Sequence, residues 1–103
     1  MITVANKRVG AIGEYIGRPS PLGNPFAIGR DGTRDEVIAK YREWLYPLLD
    51  ESKPSQALTE MNRLTDLYEK QDITLVCWCA PQACHGDVLA QAIPWWSIAR
   101  SRA

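Results

Sequence analysis

The sequence has no excess of either charge: twelve basic residues balance twelve acidic ones over 103 residues. No global field therefore steers it toward nucleic acid or an anionic membrane. It has no apolar run near the roughly 20 residues that a membrane helix needs. Its opening residues, Met1 to Val9, lack a charged stretch followed by an apolar one, so no secretory leader is expected and the chain reads as cytoplasmic. Cysteine is too scarce and too crowded for a disulfide framework, with three residues between positions 77 and 84. Histidine occurs once, at His85. Against these absences stand four Trp and four Tyr. That is more aromatic surface than a small core needs, and it points to a ligand cleft or a partner. The balance of 46% hydrophobic and 23% charged residues excludes a disordered tail, a collagen-like chain and a coiled coil. A mass of 11.6 kDa allows one domain with a modest core.

Charge varies locally. Residues 1–30 carry four bases and one acid, residues 31–72 carry ten acids and six bases, and residues 73–103 carry two bases and one acid. The basic N-terminal segment favours an anionic ligand nearby.

Ile2 to Val9 reads as a strand. Residues 10–30 hold five glycines with Pro19, Pro21 and Pro25, so an ordered loop is expected, broken only by an extended piece at 14–16. Thr33-Arg34-Asp35-Glu36 is a capping box, and Val37, Ile38, Tyr41, Trp44, Leu45, Leu48 and Leu49 follow at helical spacing until Pro47 disturbs the bonding. A second helix is expected after Ser55, with Ala57, Leu58, Met61, Leu64 and Tyr68 inward. Ile73 to Trp78 reads as a central buried strand. A third helix runs from Cys84 to Ile93 and is expected to stop at Pro94. Trp95 and Trp96 then pack at the sheet edge or form an exposed stacking platform, and Arg100 and Arg102 lie on a solvated tail. The expected fold is α/β: a small single-domain layered fold, Rossmann-like in part, with a short central sheet and about three helices. It spans residues 1–96, with a tail over 97–103.

The chemistry concentrates in Leu75-Val-Cys-Trp-Cys-Ala-Pro-Gln-Ala-Cys-His-Gly-Asp-Val-Leu-Ala90, which runs from a strand through a tight proline-containing loop into a helix N-terminus. Ligands in α/β domains bind beyond strand ends, and helix N-termini attract anions. Three readings stay open. Cys77, Cys79, Cys84 and His85 supply a zinc-type ligand set, although their spacings are not those of the usual knuckles. Alternatively the segment is a ligand or active site, with Cys84 activated by the helix N-terminus and His85 or Asp87 as acid–base groups. In the plainest reading the cysteines are core, Asp87 caps the helix and His85 satisfies a carbonyl.

A second cluster is Tyr15-Ile-Gly-Arg-Pro-Ser-Pro-Leu-Gly-Asn-Pro-Phe26. Arg18 suits phosphate or carboxylate, and Ser20 and Asn24 offer a hydroxyl and an amide on a loop stiffened by proline. Its plain reading is a rigid connector whose Arg18 pairs with a surface acid.

Arg18-Pro-Ser-Pro-Leu-Gly-Asn-Pro-Phe26, Gly32-Thr-Arg-x-Glu36, Tyr41-Arg-x-Trp-Leu45 and Cys77-Trp-Cys-x-Pro-x-x-Cys-His-Gly-Asp-Val-Leu89 together resemble a small family found in bacteriophages and bacteria, known chiefly as a domain of unknown function. The likeness covers roughly residues 16–89 and pairs the two loops. His85-Gly-Asp-Val-Leu-Ala90 is also similar to the strand-end turn of Rossmann-like nucleotide-binding proteins, with Cys77, Trp78 and Cys79 where glycines usually stand.

The leading expectation is a domain that binds, and processes if it is an enzyme, a nucleotide-like or other phosphorylated anion between the 18–24 loop and the 77–87 turn. Arg18, Ser20, Asn24 and Gly86 would bind the substrate. Cys84, His85 and Asp87 would be catalytic, in a hydrolase or transferase acting at a phosphate or N-glycosidic bond. The rival is a zinc-stabilised, non-catalytic module that engages a protein partner through Trp95 and Trp96, in the host cytoplasm if the chain is phage-encoded. Single-stranded nucleic acid is the weakest partner, because a basic groove is missing.

Overall fold

Alternating apolar residues at the N-terminus and the apolar run Ile73-Thr-Leu-Val-Cys77 make the two longer strands of a three-stranded sheet. In this computed structural model, which describes residues 1–79 and 82–102, the elements in chain order are β1 (Ile2–Asn6), β2 (Glu14–Tyr15), α1 (Arg34–Leu45), α2 (Gln56–Tyr68), β3 (Ile73–Cys77) and α3 (His85–Ser101). The proline-containing tip expected after β3 lies outside the described residues. β3 is central and parallel to both neighbours, with Ile2 opposite Ile73, Asn6 opposite Cys77 and Tyr15 opposite Val76. The small α/β fold with three helices is as expected, and the all-parallel sheet is consistent with a partly Rossmann-like arrangement.

Ile73, Leu75 and Cys77, with Ile2 and Val4 beside them, face one core shared with all three helices, while Thr3 on the opposite face is exposed. Because every strand is parallel, all three strand ends emerge along one edge. The loops that follow them meet there.

Local chemistry sets the element ends. β1 stops at Asn6, short of the expected Val9, because the Asn6 side chain accepts the Arg8 N–H at 2.8 Å and Gly10 turns the chain at φ +80°. The capping box at α1 is complete: Thr33 Oγ1 accepts the Glu36 N–H, and Glu36 accepts the Thr33 N–H. Pro47 ends α1 in a 3₁₀ turn over Tyr46–Leu48. Ser55 caps α2 through the Leu58 N–H at 3.0 Å.

Pro94 does not stop α3, which continues to Ser101. An interior proline costs about 3 kcal/mol, but the turns beyond it are anchored. Trp96 is buried and donates to Asn62 Oδ1 at 2.8 Å, and burying an indole contributes roughly 4–6 kcal/mol by area. Arg100 bridges Asp66 and Glu69 at 2.7 and 3.0 Å. Residues 97–101 are thus the end of α3 rather than a tail, and Arg100 is paired rather than simply solvated. Trp96 belongs to the core, and half-exposed Trp95 stacks on it with ring centres 6.3 Å apart. Among the described residues no helix is long and apolar enough to cross a membrane.

Candidate functional site

The loop after β2 and the turn after β3 enclose a cavity of about 400 Å³ at the strand-end edge. It brings together Arg18, Asn24, the three cysteines and His85, which the sequence had placed in two separate motifs. Ser20, Gly86 and Asp87 do not line it.

The first wall is a loop that bonds to itself. Tyr15 Oη donates to the Arg18 carbonyl at 2.7 Å and accepts from Trp78 Nε1 at 3.2 Å, tying the two loops together. Ser20 accepts the Leu22 N–H, and buried Leu22 offers its carbonyl to Tyr41 Oη at 2.7 Å. Asn24 accepts the Phe26 N–H at 2.9 Å and donates to the Val37 carbonyl at 3.3 Å, so one end of its amide shapes the loop and the other ties it to α1. A side chain at Gly23 would meet the Arg18 backbone nitrogen at 2.9 Å; this close approach sets where Arg18 stands. The Arg18 guanidinium is exposed at the cavity, and among the described residues no carboxylate pairs with it.

The second wall carries sulfur. Cys77 ends β3, and Cys84 is the residue that caps α3. Their sulfurs lie 3.3 Å apart, and the sulfurs of Cys77, Cys79 and Cys84 all lie within 4.8 Å of one another. Three thiols this close are able to hold a metal ion. Two backbone amides already point at sulfur: the Gly86 N–H at Cys84 Sγ (3.3 Å) and the Cys79 N–H at Cys77 Sγ (3.5 Å). Burial, with the bond to Cys77 added to it, pushes the Cys84 thiol up to about 12. For the bare thiol this overrides the lowering expected at a helix N-terminus, because desolvation of a thiolate outweighs a partial dipole charge.

His85 is buried, with Nε2 2.7 Å from the Ile16 carbonyl oxygen. A carbonyl only accepts, so Nε2 carries the proton and Nδ1 keeps its lone pair. Burial holds this imidazole below its ordinary range, so the neutral form is favoured. No hydrogen bond reaches Nδ1 among the described residues, and none of their buried side-chain nitrogens lacks a partner. His85 is among the residues that line the cavity. His85 is not part of the three-thiol group. Asp87 accepts the Cys84 N–H at 3.1 Å and completes the capping box of α3. Gly86 is a packing residue, since a Cβ there would meet Val4 Cγ1 at 2.9 Å and Ile16 Cδ1 at 3.1 Å.

Sequence reasoning missed Arg34, Phe26 and the half-exposed Trp78, all of which line the cavity. Arg34 donates to the Ala83 carbonyl at 2.9 Å, bridging α1 to the cysteine turn. A signal was available. A cation in the first turn of a helix opposes the macrodipole, so Arg34 ahead of Asp35 and Glu36 stands where propensity alone would not put it.

No curated protein and no solved structure matches the chain. The motifs that build the two cavity walls lie within residues 3–95, which match the family described as a domain of unknown function, DUF4326. On that match the chain belongs to the DUF4326 family.

Proposed function

We propose that this domain binds a nucleotide-like, phosphorylated ligand in the cavity between the two loops. The observation that carries the reading is a pair of guanidiniums, Arg18 and Arg34, in a cavity lined, among the described residues, by no Asp or Glu. Guanidinium forks match phosphate oxygens, and their attraction to an anion is strongest where no carboxylate competes. Phe26 and Trp78 add flat apolar surface on which a ring can stack. His85 Nδ1 offers an acceptor for an N–H or O–H of the ligand. In this reading Ser20 and Gly86 support the two loops from outside the cavity, Asn24 holds its wall in place, and Arg18 and Arg34 make the polar contacts.

The test is calorimetric titration of the full chain with nucleoside mono- and diphosphates and with inorganic phosphate. Arg18→Ala and Arg34→Ala should each weaken binding roughly 10–100-fold, the equivalent of about 1.5–3 kcal/mol for a charged hydrogen bond. Unaltered affinity in both folded variants sinks the assignment.

A second reading, a zinc-stabilised module that engages a protein partner, draws on the three clustered thiols. It predicts that chelation lowers the melting temperature while phosphorylated ligands leave it unchanged.

A further inference from the structure

The three sulfurs point to more than a structural clip. We infer that Cys77, Cys79 and Cys84 form a three-thiolate zinc centre whose fourth coordination position opens into the cavity, with His85 outside the coordination sphere.

Geometry supports the ligand set. A tetrahedral zinc with Zn–S bonds of about 2.3 Å spaces its sulfurs roughly 3.8 Å apart. The sulfurs here span 3.3 Å to at most 4.8 Å, a spread that brackets that spacing. Iron–sulfur clusters put several irons between their thiolates and need wider separations, so a single ion fits better. Thiolates also select zinc over magnesium, calcium or manganese.

The surroundings support thiolates. Gly86 and Cys79 each aim a backbone N–H at a ligand sulfur, the kind of contact that stabilises metal-bound thiolates and fixes their direction. Cys84 also occupies the helix cap, where the positive end of the dipole favours negative charge. Zinc with three thiolates carries one net negative charge, and Arg18 and Arg34 line the same cavity.

The fourth position follows from what His85 does. Its Nε2 is committed to the Ile16 carbonyl, and it stands outside the group of mutually close ligand atoms. All three cysteines line the cavity, so a metal held by them sits on its wall, and a water or an incoming ligand atom takes the remaining site. This placement makes zinc a contact for whatever occupies the cavity, and it holds whether or not that occupant is phosphorylated.

The experiment uses the full chain, prepared anaerobically with its thiols reduced and loaded with zinc or cobalt. Elemental analysis should give one zinc per chain for the native sequence and for His85→Gln, whose amide can still donate to Ile16. Cys84→Ser should lower zinc affinity more than about a hundredfold, beyond the 10–100-fold typical of an outer partner. Cys79 is only half-buried, so Cys79→Ser carries the same test if Cys84→Ser fails to fold. The cobalt form should show thiolate charge-transfer bands and strong visible bands of a tetrahedral ion, and excess imidazole should shift the visible bands. The inference is overturned by a reduced chain that takes up no zinc, by iron and sulfide in its place, by a folded His85→Gln that loses zinc, or by cobalt bands that imidazole leaves unmoved. None of these readouts involves a nucleotide, so failure here and failure of the anion-binding reading are separate results.

Discussion

The two walls of the cavity treat their polar groups in opposite ways. In the loop after β2, Ser20 and Asn24 bond to neighbouring backbone, and Arg18 lines the cavity with no carboxylate partner among the described residues. In the turn after β3, Asp87 is engaged in the helix cap, whereas three mutually close thiols and the ring of His85 line the cavity. A dense set of donors in a rigid loop is therefore a poor guide to what a ligand meets. The groups left over after the scaffold has bonded itself are the informative ones.

If that contrast is right, substitutions should separate scaffold from contact. The largest stability loss is expected at Asn24→Ala, which strands the Phe26 N–H and removes the second donor to the Val37 carbonyl; it should cost roughly 1–3 kcal/mol in denaturant unfolding. A stable Asn24→Ala that loses ligand would reverse the assignment and make Asn24 a contact. Gly86→Ala comes next. Overpacking against Val4 and Ile16 costs about 1–3 kcal/mol, and the better helix propensity of alanine returns about 1, so a net loss of roughly 0–2 kcal/mol should appear in the melt. Ser20→Ala removes one partly buried hydrogen bond and should cost only about 0.5–1 kcal/mol, with ligand affinity unchanged. Arg18→Ala should fall within about 0.5 kcal/mol of the native stability while weakening the ligand, the reverse of Asn24→Ala.

Much of the fold was legible because local rules and global packing agreed. The Thr33 and Ser55 caps, the helical stripe around Tyr41 and the central apolar strand all say the same thing at both levels. The misreadings came where distant partners overrode a local signal. Pro94 looked like a stop, but Asn62, Asp66 and Glu69 on α2 anchor the turns beyond it. Val9 looked like strand until Asn6 captured the Arg8 amide one turn earlier.

The site was half legible for the same reason. The sequence placed Arg18 and the cysteines in notable motifs, and it is the parallel sheet that puts both strand ends on one edge. Arg34 was hidden because its role depends on how α1 docks beside the cysteine turn, through the Ala83 carbonyl 49 positions away in sequence. Burial of Cys84 could not be read from its place at a helix start, and burial decides its protonation in the bare thiol.

The central claim is that a phosphorylated ligand enters between these two walls. Its most direct test is a titration of isotopically labelled chain with a nucleoside monophosphate, followed amide by amide in nitrogen–proton correlation spectra. The account predicts saturable shifts concentrated at Arg18, Phe26, Arg34, Trp78 and Ala83 to His85, with the far end of α3 around Arg100 unmoved. Saturable shifts centred on Trp95 and Arg100, or no shifts at millimolar ligand, would contradict it.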